Sequence, residues 1–276
     1  NKAKFNVLGN RMFENVCKEL KVPFKRNGSL VLAFSEEESK SLEDLKSRAA
    51  ENGVPVEIIG QEGLRAREPN VSHEAVAALW APTGGICCPY QLAFRAAENA
   101  AANGVRFVFD AKVVNFERLS GGGWKVRCDD GRAFESVCVI NCAGLHSDEL
   151  NNLVSSTKYS IQARRGEYLM LDRDEEHSFS ATMFQVPSKM GKGILVSPTV
   201  DGTVIVGPTA EDIPLKDDKA TTYLGLEKVK EGALRTWPGL PLNKVITEFS
   251  GLRAHETTIG DFILGEAPDA PGFFNA

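Results

Sequence analysis

The chain has 276 residues, 32 Lys and Arg against 37 Asp and Glu, a net charge of −5 at neutral pH and 42% hydrophobic residues. That length and balance suit one large globular domain or two ordinary ones. They exclude the basic footprint of a nucleic-acid-binding protein. No apolar run reaches the roughly 18 residues of a membrane span, and the opening "NKAKFNVLGN" has no signal-peptide core.

In chain order, "KFNVLGNRMFENVCKELK" spaces Phe5, Leu8, Met12, Phe13, Val16 and Leu20 as an amphipathic helix with no capping residue before it. "EAPDAPGFFNA" stops on an apolar run at the other end, so both ends read as cut from something longer. "GSLVLAFS" predicts a strand. Ser35 and three glutamates then open a helix that Gly53 closes. "QEGLRAREP" predicts a short helical turn before Pro69, "AVAALWAP" a strand, and "PYQLAFRAAENAAANG" a helix with Pro89 in its first turn and Gly104 at its end.

"VRFVFDAKVVNFERL" predicts a strand kinked at Asp110, and the turns at Gly121–Gly123 and Asp130–Gly131 predict a meander. "VCVINCAGLHSDEL" reads as a buried strand that breaks at Ala143 and Gly144 before a helix. Strands linked by a helix between residues 75 and 144 point to a parallel αβ layer. From Tyr159 the texture changes to strands, with a hairpin at Asp201–Gly202 and one helix, "TTYLGLEKVKEGALRTW". The expected fold class is therefore α/β plus α+β.

Motif chemistry is sparse. There is no GxGxxG, GxxxxGK[ST], HExxH or GxSxG, and no metal-ligand cluster. The glycines at 121–123 form a hairpin loop. Cys17, Cys87, Cys88, Cys128, Cys138 and Cys142 form no zinc-type CxxC pairs and are expected as reduced, mostly buried thiols of a cytoplasmic protein. Cys138 and Cys142 would pack on one face of a strand, while His73 and His177 fall in polar surroundings on the surface. Two features exceed background. "SGLRAHE" places Arg253 where a guanidinium could fork onto a carboxylate or phosphate, and "RRGEY" sets Arg165 and Tyr168 around Gly166.

Jointly these stretches resemble FAD-dependent oxidoreductases of the D-amino-acid oxidase and glycerol-3-phosphate dehydrogenase superfamily. "VINCAGLHSDEL" is similar to their strand-to-helix segment, and "CPYQLAFRAAENAAANGVRFVFDAKVVNFE" to their helix and the strand beside the adenine. "KGILVSPTVDGTVIVGPTAED" and "FSGLRA" are similar to their hairpin and substrate-arginine segments. Bacterial FAD-dependent glycerol-3-phosphate dehydrogenase-like proteins resemble the chain most, 2-hydroxyglutarate dehydrogenase-like ones next. The resemblance implies a partial FAD-binding, glutathione-reductase-like layer with an antiparallel-sheet substrate domain, the glycine fingerprint and closing flavin segment lying outside the chain. It divides the chain into residues 1–23 (connecting helix), 24–80 and 158–250 (substrate domain), and 81–157 and 251–276 (FAD domain).

The implied activity is hydride transfer from glycerol 3-phosphate or a similar anionic 2-hydroxy compound to FAD. The alternatives are a 2-hydroxyglutarate-type or amino-acid-type flavin oxidoreductase, or a non-catalytic small-molecule binding module. The isolated chain is expected to be inactive and to lack tight FAD. Val113, Ala143 and Gly144 match backbone positions at the cofactor, Gly144 allowing close approach. Arg253, with Arg165 near it, matches the ligand of the substrate's anion. Tyr168 matches a position over the flavin ring where some relatives carry histidine. It and His255, two residues past Arg253, are the two candidate bases, histidine being the side chain that changes charge near neutral pH. An electron-acceptor partner and a peripheral location at the inner membrane stay open.

Overall fold

The structure, a computed structural model, describes residues 2–173, 179–187 and 193–276. The chain begins with α1 (Lys2–Glu19), β1 (Phe24–Lys25), β2 (Ser29–Ala33), α2 (Glu36–Glu51), β3 (Glu57–Gly60), α3 (Gln61–Arg67), β4 (Ala77–Ala81) and β5 (Ile86–Cys87). Its middle holds α4 (Pro89–Ala102), β6 (Val113–Arg118), β7 (Trp124–Cys128), β8 (Ala133–Ser136), β9 (Val139–Asn141) and α5 (Ser147–Val154). The last part runs through β10 (Ile161–Leu171), β11 (Thr182–Gln185), β12 (Leu195–Pro198), β13 (Val204–Gly207), β14 (Glu211–Ile213), α6 (Tyr223–Thr236), β15 (Val245–Glu256), β16 (Gly265–Glu266) and β17 (Phe273–Asn275).

The architecture combines α/β and α+β layers as expected. One nine-stranded sheet runs in the order β14-β10-β13-β12-β11-β2-β4-β3, with β15 on β10. Strands β2–β4 and β10–β15 thus share one sheet, and β15 passes through the expected 250/251 boundary without a break. Long β10 organises the site because its side chains alternate. Ala163, Arg165, Glu167, Leu169 and Leu171 are buried, whereas residues 162, 164, 166, 168 and 170 are only half-buried on the opposite face. The buried face packs under α6 in a core of Leu30, Leu32, Met183, Val196, Val206 and Trp237, where Phe179 meets Trp237 edge-on at 4.8 Å.

α6 approaches β10 closely because residue 225 lacks a side chain. A Cβ there would lie 2.2 Å from Glu167 Oε1. Ser35 and Thr222 cap α2 and α6 through side chains that accept from Glu38 N and Gly225 N.

The smaller unit joins β9 in parallel to β17 and packs the β6-β7-β8 meander on it through Trp124, Phe116 and Phe273. It is fastened to α5 by Asp269, whose carboxylate accepts from Ser155 Oγ at 2.5 Å and Ser156 N at 2.6 Å. Those donors hold its carboxyl well below the usual carboxylate range. A depressed pKa contributes stability above the unfolded value, and that stability is lost as pH falls through the folded value. Melting temperature should therefore drop below about pH 4, and Asp269→Asn should flatten that acid limb. An unchanged limb in the variant would remove Asp269 from the account.

Three expectations are corrected. Residues 105–109 form no strand, since no neighbour in the described chain pairs with them, although the kink is present at Asp110 (φ 50°). The stretch around Asn141 is strand only over Val139–Asn141 and is buried at Asn141 alone. Val137 is 88% and Ile140 65% exposed, because among the described residues β9 has β17 alone as a strand neighbour. Cys138 and Cys142 are exposed rather than packed and Cys87 and Cys88 half-buried, so of the expected mostly buried thiols only Cys17 and Cys128 are buried; all six cysteines are free. His73 is exposed, and His177 lies outside the described residues.

Candidate active site

The site is built on the half-buried face of β10 and its antiparallel partner β15. Register places Tyr168 opposite Phe249, Gly166 opposite Gly251, Arg164 opposite Arg253 and Gln162 opposite His255. Tyr168, Arg253 and His255 therefore share a face, and the structure brings these three candidates onto one surface. They are spread along it, because strands rise about 3.3 Å per residue: His255 lies about 7 Å from the Arg253 row and Tyr168 about 13 Å away on the other side.

Arg165 does not belong to this face. Tyr168 lies three positions further along the strand, an odd offset, so pleating sends the two side chains to opposite sides. Its buried guanidinium lies 3.4 Å from Glu167, 3.0 Å from Glu211 and 3.3 Å from Asp218. It is a structural cation, and the sequence expectation of a substrate contact is corrected on that ground. Arg164, which sequence reasoning passed over, faces the site instead; strict alternation along "QARRGEY" was the signal that could have found it.

Two cavities meet at Arg253. The larger, about 1020 Å³, is walled by Arg164, Gly166, Tyr168, Ile194, Thr209 and Lys228, among others. The smaller, about 240 Å³, is lined by Gly144, Ser147, Asp148, His255, Phe262 and Asn275. Arg253 borders both and has no hydrogen bond or ion pair among the described residues. Its neighbour Arg164 is committed, with Nε 2.6 Å and a terminal nitrogen 2.8 Å from the two oxygens of Asp212. That fork holds the Asp212 carboxyl below the usual range.

Tyr168 stacks on Phe249 with ring centroids 5.0 Å apart and planes 7° apart, and burial pushes its phenol up. It stays protonated at neutral pH, able to donate a hydrogen bond but not to take up a proton. His255 Nδ1 is buried without a hydrogen-bond partner, 3.9 Å from Asp212 Oδ1.

The cofactor candidates divide. Gly144, with φ 59° and open space where a Cβ would stand, borders the smaller cavity. Asn141 braces this corner by donating to Ser147 O at 2.8 Å and Asn275 Oδ1 at 2.9 Å, while Ala143 N donates to Asn141 Oδ1. Val113 opens β6 opposite Cys128 and borders neither cavity. Ser147 Oγ and His255 Nδ1, both buried and unpartnered, line the small cavity and fit a polar group placed there. Yet 240 Å³ falls below the roughly 300–1,000 Å³ that enclose a drug-sized ligand. The described residues offer one wall to a dinucleotide rather than a full enclosure. They hold no cluster able to bind a metal and no helix long and apolar enough to cross a membrane.

Known proteins share this chain's sequence and fold. The FAD dependent oxidoreductase (DAO) family model matches residues 1–276. A glycerol 3-phosphate dehydrogenase of Caloramator mitchellensis is 45% identical over 275 residues, covering 99% of this chain; the chain spans 57% of that relative's length. A glycerol 3-phosphate oxidase of Mycoplasma pneumoniae is 30% identical, covering 98% of this chain and 72% of its own length. Among solved structures, the dithionite-reduced L-α-glycerophosphate oxidase of Mycoplasma pneumoniae with FAD bound superposes with TM-score 0.91 at 28% identity, over 99% of this chain and 73% of its own. A whole-chain family match, joined to an unpaired arginine between two cavities, places this chain in the DAO family of FAD-dependent oxidoreductases.

Proposed function

We propose that the chain is the substrate-binding part of an FAD-dependent dehydrogenase that oxidises glycerol 3-phosphate or a similar anionic 2-hydroxy compound. The observation that carries this reading is Arg253, unpaired among the described residues at the junction of the two cavities. A planar guanidinium forks onto phosphate or carboxylate, and from that position it would hold the anion in the larger cavity with the carbinol turned toward the Gly144 corner. FAD, when bound, supplies the hydride acceptor. Ala143 and Gly144 let the cofactor approach the backbone, Val113 serves the adenine side as the family resemblance implies, and Ser147 Oγ offers a polar contact.

His255 takes the hydroxyl proton, and Tyr168 lines the cleft as a ring and hydrogen-bond donor. Replacing His255 with Gln should lower kcat by about 10²–10⁴-fold, the range of general acid–base catalysis. Tyr168→Phe, which keeps the stack on Phe249, should leave the pH profile in place. A profile that loses a limb in Tyr168→Phe and keeps it in His255→Gln would exchange the two roles.

The reading is tested by anaerobic reduction of the flavin in the holoenzyme. Glycerol 3-phosphate should bleach the oxidised flavin band, with 2-hydroxyglutarate slower and glycine inert. Bleaching by glycine alone would replace this reading with an amino-acid-type one.

A further inference from the structure

Three strands set one row of charge across the site: Asp212 on β14, Arg164 on β10 and Arg253 on β15, each directly opposite the next. Like charges placed opposite each other across strands repel, so the Arg164–Arg253 pair needs anions. Asp212 supplies one and spends both oxygens on Arg164. His255 Nδ1 approaches the same carboxylate but makes no hydrogen bond. Arg253 stands in the field of Asp212 without bonding it. The facing charges beyond this row, Glu256 on β15, Asp148 on α5, Asp261 and the Lys2 ammonium, lie along the smaller cavity. The larger cavity contains Glu211, which is turned to Arg165, and Lys228 on α6.

We infer that Asp212 sets the charge this site accepts: by neutralising Arg164 it leaves one free guanidinium, that of Arg253, for the substrate's anionic group. This rests on the reading of Arg253 given above and names a specificity-determining residue for it. Asp212 does not touch the substrate; it acts through Arg164. Without its carboxylate, two forks would face the cavity and favour a dianion over a monoanion. Without Arg164, the stranded carboxylate would repel any anion that Arg253 attracts.

The test is a double-mutant cycle read by calorimetric binding of inorganic phosphate, with acetate as the monoanion, at low salt. Asp212→Asn should tighten phosphate roughly five- to tenfold, with acetate changing less, and the gain should shrink as salt screens it. Arg164→Met should weaken phosphate by a similar factor of about five to ten. The double variant should return within about threefold of the wild type, since coupled charges are not additive. Asp212→Glu should behave as wild type. If both single variants and the double all weaken phosphate, Asp212 and Arg164 only brace the sheet and the inference is overturned. Arg253→Ala separates this from the functional reading. A cycle that holds while phosphate binding survives Arg253→Ala would sink the substrate role of Arg253, leaving only the charge coupling of Asp212 to Arg164.

Discussion

Replacing Arg253 with alanine should raise KM for glycerol 3-phosphate by about 100-fold while the protein melts within about 1 °C of wild type, because the residue is exposed and its side chain has no hydrogen bond or ion pair among the described residues. Charge-assisted hydrogen bonds contribute about 1.5–3 kcal/mol each, and a two-pronged contact loses both. Arg253→Lys should recover part of the loss, keeping the charge but not the fork. Steady-state kinetics with the phosphate ester and with uncharged glycerol separate the contributions: the variant should lose discrimination between them. If alanine at 253 lowered kcat with KM untouched, the anion would sit elsewhere and Arg253 would act on the chemical step.

The second large effect falls on stability. Glu167 is fully buried on the opposite face of β10, 3.4 Å from Arg165 Nε. It accepts from Thr222 N at 2.7 Å and Thr222 Oγ1 at 2.9 Å. Glu167→Ala would leave Arg165 short of its buried counter-charge and the start of α6 without its anchor. Breaking a buried pair by removing one partner costs about 3–5 kcal/mol. The expected result is a loss of that size in urea unfolding. Since α6 contributes Gly225 and Lys228 to the larger cavity, substrate affinity should fall with it. Glu167→Gln should fall between, keeping hydrogen bonds but not charge. A cost under about 1 kcal/mol would show that Glu211 and Asp218 suffice to hold Arg165.

These two residues also show what the sequence could and could not disclose. The helices were legible: Pro89 and Gly104 bracket α4, and Ser35 with its glutamates caps α2, since these signals act locally. The Asp201–Gly202 hairpin was legible for the same reason. Arg253 stood out through its place in "SGLRAHE", a segment that lies within β15.

What failed depended on partners. Residues 105–109 have strand composition, but a strand exists only where another backbone pairs with it. Cys138 and Cys142 carry the spacing of a buried strand, yet burial needs covering layers that spacing does not provide. Grouping Arg165 with Tyr168 overlooked a parity that the sequence does contain. Asp212 was invisible for a different reason: its pairing with Arg164 is a matter of register between β14 and β10, which neither strand's composition discloses.

The central claim is that Arg253 grips the substrate's anion between the two cavities. A crystal structure of the holoenzyme soaked with glycerol 3-phosphate tests it most directly. Phosphate oxygens should lie about 2.7–2.9 Å from the Arg253 guanidinium, the distance of a charge-assisted hydrogen bond, with the carbinol end toward Gly144. Phosphate density seated away from Arg253, with that side chain still free, would contradict the account.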